Sequence, residues 1–376
     1  MVNIKWQRLL IVSLVWAQSG RYWDSLFAVE TRDTVYGEAA WAPTNQRRPL
    51  RATFYLPRGD AERKRPMIVF LHGGTFLGGT RNDPDVAHLA RYFAQRGYVT
   101  ASIEYRTGLE LISQPTEVLF TRAAIRAVHD FKAFVRFLKH TVIELNNRYG
   151  IDTNRIYAGG TSAGAFAVLH AAFVSSSAEL APAVSQNVID YLQQQGGLEG
   201  GSGNPGYSSR FQAAFSLAGG LLRTEWISRE KLDAVIAMHS TGDAVVPYKR
   251  GPTSVSANLI VEGGYNIDSA AAAQGLYHAL FTWNSSEHVP WVSGGIIRPQ
   301  RMEEVENFLR QHFYQWNRRY ATSLSRPEAL VELPRAWEVW SIEGRYWGSI
   351  QAMDELPSGV WVLMAPSQPA RVVYRP

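Results

Sequence analysis

The feature that most constrains this chain is the alternation of short apolar runs with amphipathic stretches. Residues 66–71 form an apolar run that ends at His72-Gly73-Gly74, and a second run follows at 98–105 after an amphipathic segment. A fully apolar run of this length is typical of a strand buried on both faces. Strands that alternate with helices favour a mostly parallel sheet covered by helices on both faces. The sequence therefore predicts an α/β fold.

The same alternation continues along most of the chain. Apolar residues spaced as on one helix face run from Ile125 to Leu145, and this predicted helix breaks at Gly150. The spacing from Met302 to Phe313 predicts a closing helix. We expect one domain over residues 18–322. Further strands are predicted at 155–159, 212–217, 234–239 and 276–283.

Composition excludes several classes of protein. The chain has 376 residues, of which 46% are hydrophobic, and it has no cysteine. These values exclude a disordered, collagen-like or disulfide-stapled protein. A net charge of +5 is too mild to indicate a nucleic-acid partner. No histidine-rich cluster offers metal-ligand spacing, so we expect neither a metal nor a cofactor.

The first 17 residues have the pattern of a secretory signal. Lys5 and Arg8 precede an apolar run from Leu9 to Ala17. This pattern predicts a cleavable signal peptide over residues 1–17, with a buried helix as the alternative. The run is too short to span a bilayer, and no later run is longer, so we expect no membrane span in the mature chain. The predicted location is secreted or at the cell surface, with the periplasm as the alternative.

One long segment interrupts the alternation of strands and helices. Residues 196–209 are rich in glycine and polar residues, which predicts a loop. The loop is either a surface linker or part of the rim of an active site.

The pattern G-x-S-x-G occurs at residues 160–164, centred on Ser162. It directly follows a predicted strand and precedes a helix-compatible run, 165–173. A serine in a sharp, strained turn needs neighbours without side chains, so that strand and helix approach each other closely. Ser162 is therefore a candidate nucleophile, and an ordinary glycine-rich turn is the alternative.

A serine hydroxyl is a poor nucleophile without a general base, an orienting carboxylate and donors for the developing oxyanion. Backbone amides after the strand that ends at His72 are exposed enough to supply such donors. We name the amides of Gly74, Thr75 and Ala163 as the predicted oxyanion hole. His72 itself is predicted to orient this loop rather than to act as the base.

The candidate carboxylate is Asp243, which follows the predicted strand 234–239. Because it lies just after this strand, we place it at the same sheet edge as Ser162. An Asx turn made by the same side chain is the alternative. Asp233 is a weaker candidate because it precedes the strand.

The candidate base is His288. Three histidines follow Asp243 in the chain: His278 lies in a predicted strand, His312 lies in the closing helix, and His288 lies in a loop after the last strand. A lone loop histidine is often only a surface residue, but the chemistry needs a base at this edge.

Ser162, Asp243 and His288 in this order, with His72-Gly73-Gly74 upstream, resemble the α/β-hydrolase superfamily, and within it the esterases and lipases with an HGG-type oxyanion loop. The resemblance implies an α/β-hydrolase fold and a Ser-His-Asp triad that forms an acyl-enzyme.

Two positions depart from the family pattern. Thr75 stands where many relatives have a third glycine, and Glu287 stands before His288 where glycine is common. Glu287 is therefore a second candidate for the orienting carboxylate.

The C-terminal segment, residues 323–376, has a different character. Its strand-like runs, 337–342 and 359–363, predict a small β appendage. The segment resembles the type IX secretion sorting domain of Bacteroidetes, which implies the secretion machinery as a partner. The alternatives are an edge hairpin packed on the larger domain and a polysaccharide-binding module. The residues that carry the resemblance are Gly344, 356–362 and 371–373. The polysaccharide-binding alternative depends on the tryptophans Trp337, Trp340, Trp347 and Trp361.

The predicted function is a secreted serine esterase or lipase that acts on extracellular esters, such as acylated polysaccharides or lipids. A non-catalytic binding protein with the same fold is one alternative, and it is disfavoured because every triad candidate is retained. A serine peptidase of the same fold is the other, and such enzymes usually carry a propeller or a cap, which this sequence does not show.

Overall fold

The structure is a computed structural model that describes residues 20–322 and four strand segments near the C-terminus, 337–341, 346–350, 359–364 and 371–375. The predicted signal peptide, residues 1–17, lies outside the described residues. Gly344 and residues 356–358, which carry part of the sorting-domain resemblance, also lie outside them. The side chains of the four C-terminal strands are likewise not described.

An eight-stranded sheet forms the centre of the molecule. Five neighbouring pairs are parallel, and two antiparallel strands complete one edge of the sheet. The mostly parallel sheet predicted from the sequence is confirmed. In spatial order the strands are β1 (Ala28–Trp41), β2 (Gln46–Arg58), β4 (Val99–Ile103), β3 (Arg65–Leu71), β5 (Ile151–Thr161), β6 (Ala213–Leu217), β7 (Ala234–Ser240) and β10 (Tyr277–Trp283).

Helices cover both faces of this sheet, as predicted. Two short hairpins and two 3₁₀ turns, at 181–183 and 224–226, lie in the connections. The helices are α1 (Pro84–Ala94), α2 (Thr116–Ile143), α3 (Ala163–Phe173), α4 (Ser177–Leu180), α5 (Gln186–Gln194), α6 (Gly264–Ala273) and α7 (Pro299–Thr322), and the hairpins are β8 (Arg250–Thr253) with β9 (Ser256–Glu262) and β11 (Val292–Ser293) with β12 (Ile296–Ile297).

Two apolar clusters, one on each face, hold the helices to the sheet. Residues of α2, α3 and α5 pack on one face, and residues of α1 and α7 pack on the other. Trp283 and Trp291, two aromatic residues near the predicted base, are buried in the second cluster. Burying the apolar surface of such residues is the main force that stabilises the fold.

The loop over residues 196–209 is packed against the domain rather than free on its surface. Ser202 is buried; its hydroxyl donates to Asp130 at 2.6 Å and accepts from Arg106 at 3.0 Å. Its carbonyl accepts from the amide of Glu38 in β1. The loop therefore ties α2 to β1. None of its residues lines the cavity at Ser162.

The C-terminal strands form a separate four-stranded antiparallel sheet. The two runs predicted from the sequence correspond to β13 (Trp337–Ser341) and β15 (Gly359–Met364), which pair with each other. β14 (Tyr346–Ile350) and β16 (Arg371–Arg375) lie at the edges. The backbone thus contains the predicted small β appendage.

Within residues 20–322, no helix is both long enough and apolar enough to cross a membrane.

Candidate active site

Ser162 lies at the sharp turn between β5 and α3. Its backbone has φ 51° and ψ −113°, a conformation that costs a non-glycine residue of the order of 1–3 kcal/mol. The Ser162 amide donates to the carbonyl of Leu217 in β6 at 2.8 Å. The neighbouring strand therefore helps to hold the turn in this strained form. The hydroxyl is thereby presented at the carboxyl edge of the sheet.

The glycines on either side of Ser162 are needed for close approach. A Cβ at Gly160 would lie 2.2 Å from the carbonyl oxygen of Leu71, at the end of β3. A Cβ at Gly164 would lie 2.4 Å from the same oxygen and 2.6 Å from that of His72. Backbone atoms cannot move aside as a flexible side chain does. The G-x-S-x-G pattern thus reflects the contact of this turn with β3.

We predict that Gly164→Ala destabilises the protein by about 2–3 kcal/mol, because the added methyl group overpacks against two carbonyl oxygens. Gly78→Ala is the matched control, since a Cβ there meets nothing within 4 Å, and it should change stability by less than about 0.5 kcal/mol. Urea denaturation of both variants measures the effect. Equal stability of the two variants would contradict the steric argument.

The three residues predicted as a triad lie within hydrogen-bonding distance of one another. His288 Nε2 is 2.8 Å from the Ser162 hydroxyl, and His288 Nδ1 is 2.6 Å from Asp243 Oδ2. His288 follows β10 in the chain, and Asp243 follows β7. β5, β6, β7 and β10 are neighbouring parallel strands, so the carboxyl ends of β7 and β10 lie at the same edge of the sheet as Ser162.

Asp243 is buried and makes contacts through both carboxylate oxygens. Oδ1 accepts from the amides of Val245 and Val246, at 2.8 and 3.1 Å. These bonds form the Asx turn that the sequence offered as an alternative, while Oδ2 faces His288. One oxygen of Asp243 therefore forms the Asx turn, while the other is free to orient His288. Burial by itself raises the pKa of Asp243, but hydrogen bonds from His239 and His288 outweigh it and hold the pKa well below its ordinary value.

His239, at the end of β7, was not predicted from the sequence. Its Nε2 lies 3.2 Å from Asp243 Oδ2 and 2.9 Å from the carbonyl of Val246, and its Nδ1 accepts from the amide of Gly264. His239 is fully buried and contacts the same oxygen of Asp243, Oδ2, as His288 does. The sequence feature that could have indicated this contact is the position of His239 four residues before Asp243.

Glu287 does not take the place of Asp243 in this structure. Its carboxylate is paired with the exposed Arg298 side chain at 2.6 Å, outside the Ser162–His288–Asp243 chain of hydrogen bonds. The geometry therefore favours Asp243 over Glu287 as the carboxylate that orients His288.

Of the three predicted oxyanion donors, two lie at the cavity beside the serine: Thr75, in the loop after β3, and Ala163, at the start of α3. Thr75 and Ala163 line the same cavity as Ser162, whereas Gly74 is not among the lining residues. Thr75 adopts a left-handed conformation, φ 57°, between Gly74 at 98° and Phe76 at 59°. A β-branched residue in this region is strained, so the surrounding packing holds the loop in place.

The side chain of His72, which the sequence predicts to orient the loop after β3, makes a buried aromatic contact. Its ring is buried and stacks on Tyr105, with ring centroids 4.1 Å apart. The Tyr105 hydroxyl donates to the carbonyls of His72 and Gly73. These bonds fix the two carbonyls that precede the predicted donors.

A buried carboxylate connects the serine turn to the histidine loop. Asp85 Oδ2 accepts from the hydroxyl of Thr161 at 2.6 Å and from the indole of Trp291 at 3.4 Å. Thr161 precedes Ser162, and Trp291 lies three residues after His288. Asp85 is therefore bonded to both segments of the site.

The cavity beside Ser162 encloses about 530 Å³, including space that is open to solvent, and its wall is mostly apolar. Such a wall suits an apolar organic group that is fixed by a few polar atoms. The side chains that make it apolar are Phe76, Phe120, Ala124, Phe166, Val245, Val246, Val255 and Leu259.

This arrangement is chemically competent for proton transfer from Ser162. When Nδ1 of His288 carries the proton that Asp243 accepts, Nε2 has a free lone pair directed at the Ser162 hydroxyl. The imidazole can then remove the hydroxyl proton as the oxygen attacks a carbonyl carbon.

Comparison with known proteins gives matches to esterases. Residues 53–196 match the family described as BD-FAE, a segment that contains Ser162 and the loop after β3 but neither Asp243 nor His288. A probable isoprenylcysteine alpha-carbonyl methylesterase from Oryza sativa subsp. japonica is 32% identical over 135 residues. That match covers 36% of this chain and 26% of the relative, so the chain spans about a quarter of the relative's length.

Solved structures of Thermogutta terrifontis esterase 2 are similar over most of the domain. The form phosphorylated by paraoxon matches with a TM-score of 0.50 and 19% identity, covering 75% of this chain and 94% of that one. The form phosphonylated by sarin matches with a TM-score of 0.50 and 18% identity, covering 75% and 95%. Together with the strand order and helix placement described above, these matches identify the α/β-hydrolase fold in this chain.

Proposed function

We propose that this protein is a serine carboxylic-ester hydrolase in which Ser162 is the nucleophile, His288 the general base and Asp243 the orienting carboxylate. The observation that carries the proposal is the position of His288, whose two ring nitrogens contact Ser162 and Asp243 at the same time. The match to a methylesterase over part of the chain supports the choice of an ester as substrate.

In the first half of the reaction, the Ser162 oxygen bonds to the ester carbonyl carbon while His288 Nε2 takes the hydroxyl proton. The amides of Thr75 and Ala163 donate to the oxyanion that develops on the former carbonyl oxygen. Removing one such donor typically costs about 3 kcal/mol of transition-state stabilisation. The bond to the alcohol oxygen then breaks, and His288 gives its proton to the departing alcohol.

In the second half, water attacks the acyl-enzyme. His288 removes a proton from this water as its oxygen bonds to the acyl carbon. The bond between that carbon and the Ser162 oxygen breaks, the carboxylic acid leaves, and the proton on His288 returns to Ser162.

Export is part of the proposal. It rests on the basic and apolar pattern of residues 1–17 and on the sorting-like pattern of residues 323–376. With both signals, the substrates are extracellular esters, and the apolar wall of the cavity favours an apolar acyl or alcohol group.

A panel of p-nitrophenyl esters measured beside a peptide p-nitroanilide tests the activity. We expect turnover of the esters and at least about a hundredfold lower kcat/KM, equal to about 2.7 kcal/mol, for the anilide. The reverse preference would identify a peptidase. Binding without turnover of any substrate would identify a non-catalytic protein with this fold.

A further inference from the structure

A second cavity, which encloses about 470 Å³ including space open to solvent, shares lining residues with the one at Ser162. Thr121, Ala124 and Phe166 belong to the walls of both cavities. The cavities are therefore neighbours, and the side chains of these three residues form the boundary between them. The remaining wall of the second cavity includes the aliphatic residues Val128, Leu192 and Leu222 and the polar residues His129, Lys132 and His170.

Phe166 is the bulky member of this boundary. It lies one helical turn after the serine, and its amide donates to the Ser162 carbonyl at 2.9 Å. Its ring stacks on His170, with centroids 4.0 Å apart, and meets the edge of Phe76 at 6.0 Å. Contacts on two sides thus hold the ring between the cavities.

The second cavity suits an apolar chain. Burial lowers the pKa of His170 to about 4, and burial together with the charge of Arg106 lowers the pKa of His129 to about 4, so both rings are neutral at pH 7. The ammonium group of Lys132 is paired with Glu199 at 2.9 Å. The remaining lining is mostly aliphatic, and it extends about 16 Å along α2, from Thr121 to Lys132.

We infer that Phe166 sets the longest acyl chain that the enzyme accepts, and that the second cavity is the space its ring denies to longer chains. The inference rests on the proposed esterase function. The acyl group of a short ester ends against the Phe166 ring, inside the cavity at Ser162. A smaller side chain at position 166 joins the two cavities, and the added methylene groups of a longer chain are then buried against the aliphatic wall.

The test is kcat/KM for p-nitrophenyl acetate, butyrate, hexanoate, octanoate and decanoate. For the wild type we expect kcat/KM to fall beyond butyrate. For Phe166→Ala we expect the ratio of octanoate to butyrate to rise at least tenfold, since each methylene group buried is worth about fourfold. Phe166→Leu, a milder change that keeps more of the packing on His170, should move the ratio in the same direction.

Two matched variants separate the second cavity from a general loosening of the site. Phe120→Ala removes another ring from the cavity at Ser162, but Phe120 does not line the second cavity, so the ratio should stay near the wild-type value. Val128→Phe fills the second cavity from α2 without touching the first, and added to Phe166→Ala it should remove the gain.

The outcomes distinguish this inference from the proposed function. A wild type that hydrolyses short esters, with an unchanged ratio in both Phe166 variants, overturns the inference alone. A gain that survives Val128→Phe also overturns it. A wild type that hydrolyses no ester overturns both proposals.

Discussion

Ser162→Ala is expected to lower kcat for p-nitrophenyl esters by about 10⁶-fold, because the variant has no oxygen to form the acyl-enzyme. The variant should fold normally, since the hydroxyl contacts only His288 among the described residues and the strained backbone is held by the Leu217 carbonyl. Steady-state kinetics measures the loss, and a circular dichroism melt shows whether the fold is kept.

The matched control is Ser216→Ala in the neighbouring strand β6. Ser216 is also buried, and its hydroxyl has no hydrogen-bond partner in the described part of the chain. Its removal should leave kcat within about twofold of the wild type, which corresponds to less than about 0.5 kcal/mol. Ester hydrolysis that persists in Ser162→Ala at the wild-type rate would exclude Ser162 as the nucleophile.

Asp243→Asn is expected to lower kcat by about 10⁴-fold with little effect on the fold. The reason lies in how the carboxylate is held. Oδ1 accepts from the amides of Val245 and Val246, so the amide oxygen of asparagine takes that position. Its NH₂ group then faces Nδ1 of His288, which must act as an acceptor. The ring proton moves to Nε2, and His288 can no longer accept the proton of Ser162.

Glu287→Gln is the control for this variant because it changes the neighbouring carboxylate, which is paired with Arg298 on the surface. It should keep kcat within about twofold of the wild type, less than about 0.5 kcal/mol. If Glu287→Gln lost activity and Asp243→Asn kept it, the orienting role would belong to Glu287.

The charge on Asp243 is also expected to persist at acid pH. The pKa of Asp243 in the folded protein lies below the ordinary value of an aspartate. The stabilising interaction of its carboxylate with His288 and His239 is therefore complete above the ordinary pKa, and it is lost only as the pH falls through the lower pKa of the folded protein. Loss of activity on mild acidification therefore does not come from protonation of Asp243.

The sequence was most informative where chain order and geometry are linked. In a mostly parallel sheet, residues that directly follow strands meet at one edge, so Ser162, Asp243 and His288 were selected by position as well as by chemistry. The predicted fold is confirmed. The roles of the three residues remain part of the proposal, while their mutual contacts agree with it.

Other features have no local signature. The first two strands, β1 and β2, were not predicted, because exposed charged residues and the prolines at positions 49 and 57 hide the strand pattern. The position of the 196–209 loop depends on the buried bonds of Ser202 to α2. The second cavity is formed by residues of four helices and of the loops between elements, and no spacing in the sequence predicts it.

The hydrogen bonds of Asp85 link the two segments that carry Ser162 and His288. It is bonded to Thr161 on one side and Trp291 on the other, next to two residues that are 126 positions apart in the chain. Displacing either segment removes one hydrogen-bond donor from this buried side chain, and losing a hydrogen bond to a buried polar group is costly. We therefore expect the turn at Ser162 and the segment after His288 to gain hydrogen-exchange protection from the same buried side chain.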